Sequence, residues 1–143
     1  MPAANQKVYE QVQHFYARQM RCLDEGKVTE WAATFTADGV FAANAHPEPF
    51  RGREAIEAGA RKAAEQLAAD GIQRRHWLGM LEVLDQPDGT LIARSYALII
   101  STPAGGQASV HLSTTCDDVL MRDGDQLLVS SRQVRRDDLP GQR

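Results

Sequence analysis

The sequence predicts an α+β domain in which three N-terminal helices pack on one side of a strongly curved antiparallel sheet. Two observations lead to this prediction. Apolar residues recur at helical spacing through the first half of the chain, whereas the pattern changes to long strands after Gly71. Turn residues separate those strands at each joint, as in an antiparallel meander. Such a fold leaves a concave space between sheet and helices, which is suited to binding a small molecule.

The N-terminal region predicts two helices separated by a short break. Gly26 is expected to end the first, since glycine readily adopts the left-handed backbone found at helix C-termini. Thr29 is the predicted N-cap of the second, shorter helix, which runs to Phe35. The first helix is predicted over residues 6–25, where apolar residues lie at helical spacing: Val8, Val12, Phe15, Met20 and Leu23.

A turn, a brief strand and a loop lead from the second helix to the third. Asp38-Gly39 is a turn signal, residues 40–43 are expected to form the strand, and two prolines place residues 44–52 in a loop. The third helix is predicted over residues 53–69. Its apolar side consists of Ile56, Ala60, Ala63, Ala64 and Leu67.

The second half of the chain predicts four long strands and a short tail. The turns between the strands are rich in Gly, Pro and Asp, so consecutive strands are expected to pair antiparallel. No repeat or linker interrupts the chain, which predicts a single domain over residues 1–143. Residues 135–143 are polar and are expected to form a frayed tail. The four strands are predicted over residues 73–84, 91–101, 108–121 and 126–134.

Composition limits the classes of partner. The chain has 143 residues, 43% of them hydrophobic, and a net charge of −3, which gives no reason to expect binding of nucleic acid or an acidic membrane. Arg74-Arg75 is expected to be an exposed pair rather than a nucleic-acid patch. No stretch approaches the roughly 20 apolar residues that cross a bilayer, and no signal peptide is recognised, so a cytoplasmic protein is expected. The cysteines and histidines lack metal-ligand spacing, so no metal or other cofactor is expected.

Two titratable residues are candidates for chemistry. Asp24 ends the first helix, where a carboxylate faces the negative end of the helix dipole at a cost of about 0.3–1 kcal/mol, and a protonatable histidine nearby would offset that cost. His76 lies in a strand with two largely apolar faces and is expected to be at least partly buried. From each residue alone, a solvated turn aspartate and a core histidine bonded to a backbone carbonyl are the simpler interpretations.

A third acid, Asp118, belongs to a later strand. Alternation places it with Thr114 and Cys116 on the more apolar face of that strand, which we assign to the concave side of the sheet. It is either a functional acid or the ion-pair partner of a strand arginine such as Arg94 or Arg132. The sequence leaves both interpretations open.

Four segments, in order along the chain, carry a family signature. The first is interrupted and consists of residues 23–26 and 31–41. The other three are residues 50–56, Arg75-His76 and residues 118–122. Together they resemble SnoaL-like members of the NTF2-like superfamily, and they span nearly the whole chain. The resemblance implies an NTF2-like cone, in which three helices and a curved sheet enclose a pocket. The superfamily includes dehydratases, polyketide cyclases, isomerases and proteins without catalysis, so the fold does not fix the function.

Within that superfamily, the chain resembles scytalone dehydratase at two places. That family's catalytic aspartate, at the end of the first helix, matches Asp24, and its catalytic histidine, in a His-aromatic-aliphatic-Gly segment, matches His76. The resemblance implies that Asp24 orients His76, which moves a proton during the elimination of water. The family's second histidine and strand tyrosine would fall near Ser101 and Ala43 and are missing, so a different substrate is expected.

Ketosteroid isomerase is a poorer match. Its general base and its oxyanion-hole tyrosine would fall at Ala43 and near Gln19, and only its second oxyanion acid has a counterpart, at Asp118. Because SnoaL-like cyclases use an acid in this part of the sheet, the resemblance keeps Asp118 as a candidate catalytic residue.

The residues and the resemblance together predict a cofactor-independent dehydratase or cyclase that acts on an aromatic or polyketide-like small molecule. His76 would be the general acid/base, oriented by Asp24, with Asp118 as a further catalytic residue. The alternatives are an enolising isomerase and a non-catalytic protein that binds a small ligand or scaffolds a partner. A homodimer or trimer through the outer sheet face is expected. The predicted substrate-binding wall is Tyr16, Met20, Trp31, Phe41, Trp77, Thr114 and Cys116.

Overall fold

Residues 1–139 are described by a computed structural model, in which three helices pack against one curved, open sheet of six strands. This α+β architecture, with its helices preceding a meander, confirms the predicted fold class. In chain order the elements are α1 (Gln6–Asp24), α2 (Val28–Ala32), β1 (Phe35–Ala43), β2 (Phe50–Arg51), α3 (Arg53–Asp70), β3 (Ile72–Asp85), β4 (Leu91–Pro103), β5 (Ser109–Asp123) and β6 (Gln126–Arg136).

α1 begins and ends where the sequence indicates. Asn5 Oδ1 accepts a hydrogen bond from the backbone N–H of Val8 at 2.9 Å, which caps the helix N-terminus. Just past the other end, Gly26 has a φ of +76°, in the left-handed region that glycine adopts without strain. One face of the helix is buried, through Val12, Phe15, Tyr16, Gln19 and Met20.

α2 is shorter than predicted. It covers Val28–Ala32, so Thr29 lies inside the helix rather than at its N-cap. The chain leaves the helix at Thr34, whose hydroxyl donates to the carbonyl of Trp31 at 2.5 Å. The carbonyl of Thr34 accepts from the backbone N–H of Val129 at 2.8 Å, which ties this segment to the sheet instead of to another helical turn.

β1 is longer than predicted, because it already begins at Phe35. The expected turn at residues 38–39 is an irregularity inside the strand, where the register against β6 shifts between Phe35 and Val40. Space is tight at Gly39, since an added Cβ would lie 3.1 Å from the carbonyl oxygen of Thr36.

β2 and α3 complete the helical side of the fold. The loop predicted over residues 44–52 contains β2, which pairs antiparallel with β1. The guanidinium of Arg53, at the start of α3, donates twice to the carbonyl oxygen of Phe35, at 2.9 and 2.6 Å. Ile56 is the buried anchor of the helix, and Gly71 caps its C-terminus with a φ of +66°.

The strand order is β2-β1-β6-β5-β4-β3. β3 to β6 form the predicted antiparallel meander, whereas β1 runs parallel to β6. We call the face covered by the helices the concave face and the opposite one the outer face. The register places His76, Ile99 and Leu112 in one row across the concave face, and Asp118 beside Arg132 in another.

The aromatic core lies where α2 meets β1. Trp31 and Phe35 pack edge to face, with ring centroids 5.0 Å apart, and Phe41 and Phe50 continue the cluster. Within residues 1–139, none of the helices has the length and apolar character needed to span a bilayer.

The predicted polar tail begins later than expected. β6 includes Arg136, whose backbone N–H and C=O both bond to the side chain of Asn44, at 2.8 and 3.1 Å. The backbone N–H of Asp137 donates to the carbonyl of Ser113 at 3.0 Å. Residues 135 and 136 are part of the sheet, where they pair with Thr115 and Thr114 of β5. Residues 140–143 of the predicted tail lie outside the described residues.

Candidate active site

α1 and β3 bring Asp24 and His76 into direct contact. Nδ1 of His76 lies 2.6 Å from Oδ1 of Asp24, and the backbone N–H of His76 donates to Oδ2 at 3.0 Å. Because an ionised carboxylate can only accept, Nδ1 is assigned as the protonated nitrogen. Both carboxylate oxygens are thereby engaged with one residue, so Asp24 fixes the tautomer and the orientation of the ring.

The end of α1 is held against β3 by a further contact. Gln73 Nε2 donates to the carbonyl oxygen of Asp24 at 2.9 Å, and this carbonyl is one of those that a helix C-terminus leaves unpaired. The side chain of Asp24 is 7% exposed and that of His76 is 19% exposed. The pair is thus mostly removed from water, which strengthens its hydrogen bonds, while the ring still reaches solvent.

Nε2 of His76 is the nitrogen left for chemistry. It has no hydrogen-bond partner among residues 1–139, while Nδ1 is committed to Asp24. A neutral imidazole in this tautomer presents the Nε2 lone pair, and the carboxylate stabilises the imidazolium once a proton has been taken up. The pair can therefore remove a proton from a bound molecule and return it.

Asp118 belongs to a second pair, which lies inside the core. Arg132 binds its carboxylate in a bidentate manner, from Nε to Oδ1 at 2.9 Å and from Nη2 to Oδ2 at 2.8 Å. The Tyr16 hydroxyl donates to Oδ2 at 2.5 Å, and the Cys116 thiol lies 3.5 Å from Oδ1. Asp118 is 1% exposed. Of the two interpretations, the structure adopts the ion pair with Arg132; this arrangement argues against the predicted catalytic role, because both oxygens are already occupied.

The buried pair extends into a longer polar network. Arg132 Nη2 also donates to Gln19 Oε1 at 2.7 Å, and Gln19 Nε2 donates to the Thr34 hydroxyl at 2.7 Å. The guanidinium lies over the ring of Phe35, 5.3 Å from its centroid. Neither Gln19 nor Thr34 was predicted in this role. The sequence did contain a signal for this network, the amide of Gln19 on the buried face of an amphipathic helix. An amide in that position needs polar partners in the protein interior.

Burial shifts the titration of three groups around Asp118. It raises the pKa of Tyr16 well above its usual value, and the negative charge of Asp118 raises it further. Burial and then the same charge raise the pKa of the Cys116 thiol. Burial lowers the pKa of Arg132, but the Asp118 carboxylate outweighs it, so the net shift is upward. All three groups remain protonated near neutral pH, which suits an ordering element rather than a proton-transfer site.

Six of the seven predicted wall residues lie inside the fold. Thr114 is 3% exposed, and its hydroxyl donates to the carbonyl of Ala97 at 2.8 Å, so its polar atom already has a partner. Phe41 is half-buried within the aromatic cluster. The six residues are Tyr16, Met20, Trp31, Phe41, Thr114 and Cys116.

Trp77 is the exception. It is 67% exposed on the outer face, because strand alternation points it away from the face that carries its neighbour His76. The prediction that Trp77 lines the pocket is therefore wrong. Beside it on the outer face lie Leu98, directly opposite, and the 60% exposed Tyr96. We call Trp77, Tyr96 and Leu98 the outer apolar patch.

Arg74 lies on the concave face, although it was predicted to be an exposed surface residue. Arg75 is exposed as predicted, but Arg74 is half-buried and shares the face of His76, two residues further along β3. Its Nη2 lies 3.2 Å from Nε2 of His111. Its Nε is buried and has no hydrogen-bond partner among residues 1–139.

Two open cavities lie elsewhere on the described surface, and neither is lined by Asp24 or His76. The first, of about 380 Å³, lies between α1, α2 and the start of β6; the second, of about 490 Å³, lies beside the loop after β1. Within residues 1–139, no three His, Cys, Asp or Glu side chains are grouped to hold a metal ion. Cys22 and Cys116 are both free thiols.

Known proteins that resemble the chain agree with this fold. Residues 7–133 match the family model of the SnoaL-like domain. No curated protein matches the chain. The structure of Aln2 from a Streptomyces species is similar, with 38% identity, a TM-score of 0.89 and coverage of 96% of both chains.

Two further solved structures are similar at comparable identity. ActVI-ORFA from Streptomyces coelicolor is 33% identical, with a TM-score of 0.87 and coverage of 94% of this chain and 98% of the other. A protein from Catenulispora acidiphila, solved in complex with S-DNPA, is 40% identical, with a TM-score of 0.80 and coverage of 94% and 96%.

Proposed function

The chain belongs to the SnoaL-like domain family, a cyclase and dehydratase family, and we propose that it is a cofactor-independent dehydratase or cyclase acting on an aromatic, polyketide-like small molecule. The observation that carries the proposal is the half-buried pair of Asp24 and His76, with Nδ1 bonded to the carboxylate and Nε2 unpaired among residues 1–139. The complex of the Catenulispora acidiphila relative with S-DNPA supports binding of a small organic molecule here.

In a dehydration, His76 acts first as base and then as acid. Nε2 removes a proton from the carbon next to a carbonyl, and the electron pair of the broken C–H bond forms an enolate. The enolate then expels a β-hydroxyl group, which takes the proton from Nε2–H and leaves as water, so His76 returns to its neutral form. Asp24 holds the ring and stabilises the imidazolium between the two steps.

In a ring closure, the same enolate carbon attacks a second carbonyl of the same molecule. A carbon–carbon bond forms, and the resulting alkoxide takes the proton from Nε2–H. Because both reactions begin with the same proton abstraction, one assay that reports enolate formation covers both. We assign this chemistry to His76 and Asp24 and give Asp118 an ordering role, since its oxygens are already bound.

The test uses 3-hydroxy-1-tetralone, a small aromatic β-hydroxy ketone whose loss of water gives fluorescent 1-naphthol. The native protein should accelerate this reaction above buffer, and His76→Gln should lower kcat about 10²- to 10⁴-fold without a large change in melting temperature. His14→Gln, an exposed histidine of α1, is the matched control and should keep full activity.

Equal rates for the native protein and His76→Gln would overturn the assignment of His76. The alternative is a non-catalytic protein that binds a small ligand. It predicts no rate above buffer for any variant, including in proton exchange at the α-carbon of 1-tetralone in heavy water.

We also propose that the protein is a homodimer, with a trimer as the second possibility, formed through the outer apolar patch. Exposed aromatic residues in adjacent positions on one sheet face favour such an interface, because burying them removes apolar surface from water. Sedimentation velocity should show a dimer for the native protein and a monomer for Trp77→Lys. A monomeric native protein would refute this part of the proposal.

A further inference from the structure

The end of α1 has one hydrogen bond that the helix itself does not supply. A helix leaves its last four carbonyls without intrahelical partners. In α1, the backbone N–H groups of residues 25–27 bond to the carbonyls of residues 21–23. The fourth carbonyl, that of Asp24, accepts instead from Nε2 of Gln73 at 2.9 Å. The last carbonyl of the helix is therefore tied to β3.

This part of β3 lies at the free edge of the sheet. β3 is the last strand in the order and pairs with β4 on one side. On its other side, the backbone N–H of His76 donates to Asp24 Oδ2 at 3.0 Å, and the carbonyl of Arg74 accepts from Gln73 Nε2 at 2.8 Å. The two side chains supply the acceptor and the donor that a further strand would supply, so the edge is closed here without one.

The amide of Gln73 joins these contacts into one unit. Its Nε2 carries two N–H groups, and the hydrogen bonds to the carbonyls of Asp24 and Arg74 use both. Asp24 is thus held at two points, its carbonyl by Gln73 and its carboxylate by His76, with 2.6 Å between Oδ1 and Nδ1. Helix ends fray readily, and without Gln73 the last residue of α1 would be held by its carboxylate alone.

We propose that Gln73 is the positioning residue of the Asp24–His76 pair, because it fixes the backbone from which the carboxylate reaches Nδ1. Gln73 acts through Asp24 and touches none of the reacting atoms. This inference rests on the proposed function for its effect on rate, but its effect on the histidine ring can be measured without turnover.

A looser Asp24 changes which nitrogen of His76 carries the proton. The carboxylate selects the neutral ring with Nδ1 protonated, and only that tautomer presents a lone pair at Nε2. When the carboxylate leaves Nδ1 part of the time, the tautomer with Nε2 protonated gains population and cannot accept a proton from the substrate. The loss of Gln73 should therefore lower kcat and leave KM unchanged.

The experiment replaces Gln73 by a side chain of similar length without donors. In Gln73→Met, the ¹⁵N shifts of the neutral His76 ring should show a mixture of tautomers, whereas the native ring should be protonated almost entirely at Nδ1. For 3-hydroxy-1-tetralone, kcat should fall about 3- to 10-fold, as expected for the loss of one neutral hydrogen bond. The melting temperature should stay close to the native value, because Gln73 is exposed.

Two further variants separate positioning from a general effect of substitution. Gln73→Lys keeps a donor, and its cation is favourable at a helix C-terminus, so it should restore both the Nδ1 tautomer and kcat. Gln66→Met is the matched control. It removes an exposed glutamine that bonds to Asp70 within α3, and it should behave like the native protein.

The outcomes distinguish this inference from the proposed function. A mixed ring in Gln73→Met that Gln73→Lys restores, in a protein without turnover, would keep the positioning role and remove the catalytic proposal. A native tautomer population in Gln73→Met would overturn the inference, whatever its kcat. It would also be overturned if Gln73→Lys were as impaired as Gln73→Met, since the donated hydrogen bond would then not be what positions Asp24.

Discussion

The protein contains two pairs of an acid and a basic partner on one face of the sheet, and they have opposite character. In the Asp118–Arg132 pair, both residues are at most 4% exposed, and Tyr16 adds a third strong hydrogen bond to the carboxylate. In the Asp24–His76 pair, the histidine side chain is 19% exposed and one ring nitrogen has no partner among residues 1–139. The first pair is closed, and the second is open.

The difference shows what makes an acidic residue chemically useful. A buried charge pair that is fully hydrogen-bonded cannot take part in proton transfer without losing partners that the interior does not replace. An open pair keeps one atom free for a substrate, while its other bonds set the geometry. Burial and the count of occupied lone pairs, rather than residue type, therefore separate the ordering acid from the one that we propose to be catalytic.

The sharpest test of the closed pair is Asp118→Ala. This variant leaves the Arg132 charge buried without its partner, so we expect the free energy of unfolding to fall by about 3–5 kcal/mol in urea titrations. Asp117→Ala is the matched control, because Asp117 pairs with Arg94 and Arg135 on the outer face and is half-exposed, and its loss should cost at most about 1 kcal/mol. If both variants lost the same free energy of unfolding, the buried pair would not differ from the exposed one in stability.

The corresponding test of the open pair is Asp24→Asn. An amide in place of Oδ1 or Oδ2 favours the wrong tautomer of His76, so kcat for 3-hydroxy-1-tetralone should fall about 10²- to 10⁴-fold with little change in melting temperature. Glu25→Gln, one residue further along the chain and exposed, should leave kcat unchanged. If Asp24→Asn instead loses stability and keeps its activity, the open pair is structural.

The smallest expected effect concerns the Cys116 thiol beside the closed pair. Its pKa is raised in the folded protein, so above its unfolded pKa of about 8.5 the folded state holds a proton that the unfolded state has lost. Its stabilising contribution is therefore complete below that pH and decreases by about 1.4 kcal/mol for each pH unit above it.

Urea unfolding of the native protein and of Cys116→Ala between pH 7 and 10 measures this slope. The variant should show a shallower decline than the native protein. Identical slopes for the native protein and Cys116→Ala would mean that the thiol is not held protonated by its surroundings.

Much of the fold was predictable because it depends on local signals. The periodicity of α1, the glycines after α1 and α3, and the turns between β3 and β6 each act over a few residues. The end of the second helix was mispredicted at Phe35 instead of Ala32, because it depends on Val129, about a hundred residues away, whose backbone N–H binds the carbonyl of Thr34. Pairing with a distant strand overrode the local preference.

The candidate site was predictable only where a family resemblance supplied the pairing. Asp24 and His76 were each unremarkable as single residues, and they meet because α1 docks on the start of β3. Trp77 and Arg74 were both misplaced, since the faces of β3 could not be assigned from a strand with two mixed faces. Whether the carboxylate of Asp118 would be fully hydrogen-bonded depended on the position of Arg132 in the neighbouring strand.

The sequence by itself determined the element types, their order and which residues could titrate, because helical periodicity, turn chemistry and ionisable groups are local properties. The tertiary structure alone decided that Asp24 would pair with a histidine that keeps one ring nitrogen free of hydrogen bonds among residues 1–139. It also decided which arginine remained without a carboxylate partner among those residues and which aromatic residue faced outward. Those outcomes depend on strand register and helix docking, which bring distant groups within about 3 Å of one another. At that range, a difference of one residue in register moves a side chain from the concave face to the outer one.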